Sequence, residues 1–75
     1  MTENQKKKRP EREEGIVLEA LPALSFRVRM KNTEEEILTH LAGKLKLYRI
    51  RVLPGDSVLV EVSDDRGRGR IVRRL

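Results

Sequence analysis

GKLKLYRIRVLPGD, residues 43–56, combines one opening glycine, four basic residues and a closing Pro-Gly turn in a single stretch. Apolar residues in and just before it recur at spacings of four, three and four, which places them on one stripe of a short helix. They are Leu41, Leu45, Tyr48 and Val52. Four cations fan out beside this stripe: Lys44, Lys46, Arg49 and Arg51. The pattern predicts a short helical element, held by its apolar side, that offers cations to phosphates on the other side.

Segments typical of β-strands flank this stretch on both sides. They are short, rich in β-branched or alternating apolar residues, and separated by turn signals. The predicted strands span residues 15–21, 25–31, 36–41, 57–62 and 68–74. The first is apolar enough to be buried on much of both faces. In the second, Phe26, Val28 and Met30 are expected to point inward while cations point outward.

Five short strands with one helical piece between the third and the fourth are the element order of an oligonucleotide-binding (OB) fold. That fold is an all-β, five-stranded Greek-key barrel, and we predict it for residues 15–75. An SH3-like barrel has a similar strand count, but the helical piece favours the OB-fold. A closed barrel also covers the strand edges that a chain of 75 residues would otherwise expose.

Residues 1–14 have a different composition from the predicted barrel. After Met1 they contain no aliphatic residue and carry a mixture of basic and acidic side chains. We interpret them as a charged, disordered tail. Its lysines offer a second interpretation, in which the tail grips RNA, but a solvated tail is the simpler one.

The positive charge of the chain lies in its second half. Seventeen basic and twelve acidic residues give a net charge of +5, and residues 40–75 carry the whole excess. This distribution predicts a polyanionic partner, either nucleic acid or an anionic membrane surface. A membrane-surface protein would need a longer amphipathic helix with bulky apolar residues than the short piece predicted here.

Other classes of protein find little support in the composition. The chain has one histidine, no cysteine and no Gly-rich phosphate-binding motif, so we expect neither catalysis nor a metal or other cofactor. The charged N-terminus leads into no hydrophobic segment, and the apolar run at residues 16–24 is too short to span a bilayer. We therefore expect a cytoplasmic protein without a membrane anchor.

A second basic cluster and two aromatic residues complete the candidates. Arg66, Arg68 and Arg70 alternate with glycines, which let a backbone approach phosphate closely, although a flexible turn explains the first two nearly as well. Tyr48 lies on the apolar stripe, which favours core packing over base stacking, and Phe26 is expected in the core. With so few aromatics, we expect recognition of folded RNA by shape and phosphates.

Read in order, several segments resemble the bacterial translation initiation factor 1 family. The segments that carry the resemblance are GIVLEALP at 15–22, FRV at 26–28, THLAGK at 39–44, RIR at 49–51, PGD at 54–56 and GRIV at 69–72. Together they cover residues 15–74, and their order and spacing make the set specific. No single segment would suffice alone.

The resemblance implies a small barrel that binds the aminoacyl (decoding) site of the small ribosomal subunit. It implies action beside the other initiation factors, without catalysis, and we expect a monomer. The family pattern has basic residues at Lys44, Lys46, Arg51 and Arg70, and a histidine at His40. That match raises His40 from a structural or merely exposed histidine to a candidate RNA contact. The candidate RNA-binding residues are His40, Lys44, Lys46, Arg49, Arg51, Arg66, Arg68 and Arg70. A general single-stranded RNA-binding chaperone with the same fold is the alternative.

Overall fold

The strands close into a barrel, as predicted. The computed structural model describes residues 11–64 and 66–75, and within them it contains five strands and one short helix. The elements are β1 (Glu11–Leu21), β2 (Ser25–Met30), β3 (Glu36–Leu41), α1 (Gly43–Leu47), β4 (Ser57–Val62) and β5 (Arg68–Arg74). The strand order is β1-β2-β3-β5-β4, with β3 and β5 parallel and the other neighbours antiparallel. The predicted all-β, five-stranded barrel with a helix between its third and fourth strands is confirmed.

Alternation along the strands produces the core. In β2, β3 and β4 every second residue is buried, because successive side chains of a strand point to opposite faces. The buried apolar residues are Val17, Phe26, Val28, Met30, Ile37, Leu41, Leu45, Val52, Val58, Val60, Val62 and Ile71. The buried polar residue Thr39 donates a hydrogen bond from Oγ1 to the Phe26 carbonyl oxygen at 2.9 Å, which offsets its desolvation. The inward positions predicted for β2 are confirmed.

β1 closes the barrel because it pairs with two strands. Residues 11–16 pair with β4, and residues 15–21 pair with β2. Gly15 stands at the overlap, opposite both Met30 and Val58. A Cβ atom there would lie 2.5 Å from Val28 Cγ1, so the close approach of these strands requires a glycine.

Two predictions about the first strand are wrong. β1 begins at residue 11 rather than 15, because backbone pairing with β4 stabilises residues 11–14 without any need for apolar side chains. Residues 11–14 therefore belong to the barrel, and residues 1–10 of the predicted tail lie outside the described residues. β1 is also not buried on both faces: Gly15 and Val17 are buried, whereas on the opposite face Ile16 is half-buried and Glu19 is exposed.

The other strand limits agree closely with the prediction. β3, β4 and β5 begin and end where they were predicted, and β2 ends one residue early, at Met30. The chain turns there because the Glu34 N–H donates to the Met30 carbonyl oxygen, and the Met30 N–H donates to the Glu35 carbonyl oxygen. In the described residues no helix has the length and apolar character needed to cross a bilayer.

Candidate nucleic-acid interface

α1 is a short helix that follows directly from the end of β3. It begins after Ala42, whose carbonyl oxygen accepts hydrogen bonds from the N–H groups of Leu45 and Lys46. Leu45 is the residue that α1 buries, and it anchors the helix to the core. Helices this short depend on tertiary packing rather than on intrinsic propensity, so Leu45 holds the surrounding cations in place.

The end of α1 turns the chain sharply. Arg49 has a left-handed φ of 55°, and its N–H donates to the Lys46 carbonyl oxygen at 3.1 Å. The Ile50 N–H donates to the Leu45 carbonyl oxygen at 3.0 Å. These two bonds form a Schellman motif, in which the residue after the helix adopts the left-handed conformation and the next one folds back. Ile50 consequently packs against the core beside Leu45.

The prediction that Tyr48 packs in the core is wrong. Leu45 is buried as expected, but the Tyr48 side chain is 67% exposed. The apolar stripe assumed a helix continuing to Val52, whereas α1 ends at Leu47. After the Schellman turn, Ile50 packs against the core and Val52 reaches it from the following loop.

The cations of the α1 region divide between two grooves. The first groove, of about 540 Å³, lies between α1 and the outer face of β4 and β5. Its lining includes Arg12, Ala42, Gly43, Lys44, Leu59, Glu61, Arg70, Val72 and Arg73. Four cations and one carboxylate line it, so the groove is positively charged. The structure thus brings together Lys44 and Arg70, which lie 26 positions apart in the sequence.

The second groove lies on the other side of α1 and has an apolar floor. Its volume is about 350 Å³. The lining consists of Leu24, Phe26, Leu41, Leu45, Ile50 and Val52, with the cations Lys46, Arg49 and Arg51. Three more of the predicted RNA-binding residues are therefore brought together here. An apolar surface surrounded by cations suits a nucleobase whose neighbouring phosphates are neutralised.

His40, Arg68 and Arg70 share the outer face of the sheet. β3 and β5 are parallel here, with His40 opposite Arg70 and Leu38 opposite Arg68, and all four side chains are exposed. Leu38 and His40 lie on the face opposite to Ile37, which is buried in the core. Because Arg70 also lines the first groove, this row continues the positive surface away from α1.

Glu61 forms ion pairs with two cations of the first groove, Arg12 and Arg70. Its carboxylate lies between Arg12 and Arg70, with Arg12 Nη2 at 2.9 Å from Oε2 and Arg70 Nη2 at 2.6 Å from Oε1. The side chain of Glu61 is only 11% exposed. The hydrogen bond from Arg70, assisted by the one from Arg12, holds the pKa of the Glu61 carboxyl below its usual value, although burial partly opposes this.

Arg66 is separate from this surface and has carboxylate partners. Its Nη1 lies 3.1 Å from Glu13 Oε2 and its Nη2 lies 3.0 Å from Glu35 Oε1. Hydrogen bonds to Glu13 and Glu35 raise the pKa of the Arg66 guanidinium. Arg66 precedes β5 at the end of the barrel where β3 begins, and α1 follows the opposite end of β3. This geometry gives Arg66 a structural role in tying β1 to two loops.

The glycine between Arg68 and Arg70 serves packing rather than access to phosphate. Gly69 is buried, and a Cβ atom there would lie 2.7 Å from Val60 Cγ1 and 2.9 Å from the Glu61 carbonyl oxygen. The glycine thus lets β5 approach β4 closely. Because its missing side chain faces the barrel interior, the geometry favours this packing role, and the close approach of its backbone to a phosphate stays a prediction.

Sequence reasoning missed two cations of the first groove, Arg12 and Arg73. Arg12 falls within the predicted tail, because its charged neighbours in the sequence give no sign of strand pairing with Glu61. Arg73 falls within the last predicted strand, but no motif in the sequence distinguishes it from the other arginines there. Within residues 11–64 and 66–75, no group of three or more His, Cys, Asp or Glu side chains is placed to hold a metal ion.

Comparison with known proteins agrees with this architecture. A model of the translation initiation factor 1A / IF-1 family matches residues 2–75. The solution structure of translation initiation factor 1 from the Wolbachia endosymbiont strain TRS of Brugia malayi is similar at 42% identity, with a TM-score of 0.72. That match covers 100% of this chain and 88% of the Wolbachia factor.

A part of a larger protein has a similar structure. The crystal structure of YjeQ from Thermotoga maritima matches at 32% identity with a TM-score of 0.73. The match covers 87% of this chain but only 23% of the YjeQ chain, so the similarity concerns one portion of that protein.

Proposed function

The chain belongs to the translation initiation factor 1A / IF-1 family, and from this membership we propose that it binds the small ribosomal subunit at the aminoacyl (decoding) site. It does so through ribosomal RNA phosphates and assists correct initiation together with the other initiation factors. It works by binding alone, as a cytoplasmic monomer, without a cofactor and without catalysis. The bulk of the barrel occupies the site while its cations hold it there.

The observation that carries this proposal is the group of available cations around α1. Lys44, Lys46, Arg49 and Arg51 line the two grooves, and the sequence from residue 42 to 55 contains no acidic residue. Among the described residues none of these four side chains forms an ion pair with a carboxylate. Cations that are not neutralised within the protein can release counterions from RNA phosphates, which is the main source of affinity in such complexes.

The outer face of β3 and β5 extends the positive surface beyond α1. His40, Arg68 and Arg70 continue from the first groove along β3 and β5, so the positive surface runs past one face of the barrel. Phosphate contacts of this kind position a protein on RNA, and the shape of the barrel against the folded RNA then supplies specificity. Arg66, with its carboxylate partners at the other end of the barrel, stays outside the proposed interface.

Charge reversal at two positions tests the interface. We expect Lys44→Glu and Arg51→Glu each to weaken binding to purified small subunits, because each replaces a phosphate contact with repulsion. The matched control is Arg29→Glu, which reverses an exposed cation of β2 opposite Glu36, where β3 begins. The two α1 variants should unfold at nearly the wild-type temperature, and the control somewhat lower, because its new carboxylate lies opposite Glu36. Wild-type affinity in both α1 variants, or equal weakening in the control, would refute the assignment.

The proposed partner is tested by titration of labelled protein with small subunits across salt concentrations. We expect saturable binding whose salt dependence reflects roughly four to eight neutralised phosphates. A ligand of the aminoacyl site should compete with the protein. Binding that this ligand leaves unchanged would place the protein elsewhere on the subunit.

A general single-stranded RNA-binding chaperone is the alternative, and the same titration separates it. Such proteins combine a positive groove with several aromatic side chains on which bases stack. The chain has one phenylalanine, which is buried, and one tyrosine, so only Tyr48 is an exposed aromatic residue. Equal affinity for small subunits and for unstructured RNA of similar length would favour the chaperone and count against the initiation factor.

A further inference from the structure

We propose that Tyr48 stacks on an unpaired base of the RNA to which the α1 cations bind. The identity of that RNA as small-subunit ribosomal RNA rests on the proposed function, whereas the stacking itself rests on the surface described here. Tyr48 is 67% exposed at the end of α1, directly beside the cations that line the second groove. It supplies the aromatic face that the phosphate contacts alone lack.

The backbone at Tyr48 is held in place by hydrogen bonds. The Tyr48 N–H donates to the Lys44 carbonyl oxygen at 3.1 Å, which makes Tyr48 the last residue bonded to the helix. The Schellman motif then fixes the next two residues, because Arg49 bonds back to Lys46 and Ile50 bonds back to Leu45. A ring carried on such a fixed backbone loses little conformational entropy when it binds a flat partner.

The charge around Tyr48 identifies the class of partner. Lys44, Lys46, Arg49 and Arg51 all lie within four residues of it, and the nearest acidic residue along the chain is Asp56. The Asp56 carboxylate accepts a hydrogen bond from the Leu53 N–H at 2.8 Å. An aromatic ring surrounded by cations suits a base whose own backbone phosphates are neutralised at the same time.

The neighbouring residue supplies the matched control. Leu47 is 73% exposed, comparable to Tyr48, and it lies at the same end of α1. An apolar contact with a ribosomal protein would use the area of both side chains and would accept a leucine in place of Tyr48. Stacking on a base instead requires an aromatic ring at position 48 and makes little use of Leu47.

The affinity of four variants for small subunits separates these cases. We expect Tyr48→Phe to bind within about twofold of wild type, and Tyr48→Leu to bind roughly 5- to 150-fold more weakly, the range for loss of one stacked base. Leu47→Ala should change the affinity by less than about twofold, and Tyr48→Ala should resemble Tyr48→Leu. Wild-type affinity of Tyr48→Leu would overturn the proposal, as would a loss in Leu47→Ala as large as that in Tyr48→Leu. Thermal unfolding checks that each variant retains the fold.

The fluorescence of the single tyrosine gives a direct reading. The chain has one tyrosine and no tryptophan, so the tyrosine emission of the free protein comes from Tyr48 alone. Titration with a short single-stranded RNA at low salt should quench this emission in step with saturation, measured in parallel by the anisotropy of labelled RNA. Free N-acetyltyrosinamide in the same RNA corrects for absorption of light by the bases. Unchanged emission at saturation, or absence of binding to this RNA, would overturn the stacking.

The two experiments also separate this proposal from the proposed function. If the protein fails to bind small subunits saturably but its tyrosine is quenched by the short RNA, the stacking stands and the ribosomal role falls. If subunits bind and compete with an aminoacyl-site ligand while Tyr48→Leu binds as well as wild type, the ribosomal role stands and the stacking falls.

Discussion

Substitution of Gly69 by alanine tests whether this glycine serves packing or RNA. The new methyl group would meet Val60 Cγ1 at 2.7 Å, the Glu61 carbonyl oxygen at 2.9 Å and Ile37 Cδ1 at 3.2 Å. Val60 is fully buried and Ile37 is 3% exposed, so neither side chain has room to withdraw. The Glu61 carbonyl belongs to β4, which pairs with β5, so it cannot move without disturbing the ladder. Overpacking of this kind costs about 1–3 kcal/mol.

Part of that cost is offset in the unfolded chain. Alanine has less backbone freedom than glycine when unfolded, which stabilises the folded state by about 0.4–1 kcal/mol. We therefore expect Gly69→Ala to lower the free energy of unfolding by about 1–2 kcal/mol, allowing for both effects. For a chain of this size each kcal/mol lowers Tm by about 4–8 °C, so Tm should fall by roughly 4–16 °C.

Thermal unfolding followed by circular dichroism, together with urea unfolding, measures this change. The urea midpoint should fall while the slope stays constant, which indicates lost stability rather than a different unfolded state. Gly43→Ala is the control, because a Cβ atom at Gly43 has nothing within 4 Å and alanine favours the helix. It should leave the stability unchanged or raise it by up to about 1 kcal/mol. If Gly69→Ala keeps wild-type stability but loses affinity for small subunits, the packing argument is refuted and Gly69 belongs to the RNA contact.

Three further predictions concern Glu61, Arg66 and Lys44. The lowered pKa of Glu61 means that its ion pairs contribute stability above the unfolded pKa of about 4.3 and lose it as the pH falls through the lower folded value. The stability difference between wild type and Glu61→Gln, measured by urea unfolding, should therefore be largest near neutral pH and shrink below about pH 4, whereas a difference independent of pH would contradict this reasoning. Arg66→Gln should lower Tm, less so in high salt, and leave the salt dependence of small-subunit binding unchanged. Lys44→Gln should instead lower the magnitude of the salt slope by roughly 0.7–0.9, and the same decrease in Arg66→Gln would show that Arg66 binds a phosphate after all.

The barrel was predictable because most of its strands have a local signature in the sequence. β2, β3 and β4 alternate buried and exposed residues, and that period follows from the geometry of a strand alone. The start of β1 was not predictable in the same way. Residues 11–14 join the sheet through backbone hydrogen bonds to β4. Their side chains are all charged, so the sequence shows no alternation of apolar and polar residues there. A strand extension of this kind depends on whether the edge of a neighbouring strand, here β4, has backbone groups available for pairing.

The sequence predicts most of the cations that belong to the candidate interface, but not how they are arranged in space. Lys44, Lys46, Arg49 and Arg51 stand close in sequence, and the structure keeps them around α1. Arg66 also carries a positive charge and has a glycine next to it in the sequence, as the other candidate arginines of that segment do. Its guanidinium nevertheless forms ion pairs with Glu13 and Glu35, which come from distant parts of the chain. Whether a cation faces solvent or a carboxylate depends on contacts between residues that are far apart in the sequence, and a local sequence pattern cannot predict such contacts.

The position of Tyr48 shows how a helix end is decided by burial rather than by propensity. Arg49 in the left-handed conformation costs about 1–2 kcal/mol, and no glycine marks the helix end there, so local rules favour a helix that continues. The conformation is retained because it brings Ile50 back against the core beside Leu45, and burial of an apolar side chain contributes about 1.5–3 kcal/mol when complete. Ile50 is only partly buried, so its own contribution is smaller than this, and the burial of Val52 and the two backbone hydrogen bonds of the Schellman motif add to it. The same turn that lets Ile50 pack against the core leaves Tyr48 exposed among the cations, which links the packing of the core to the surface offered to RNA.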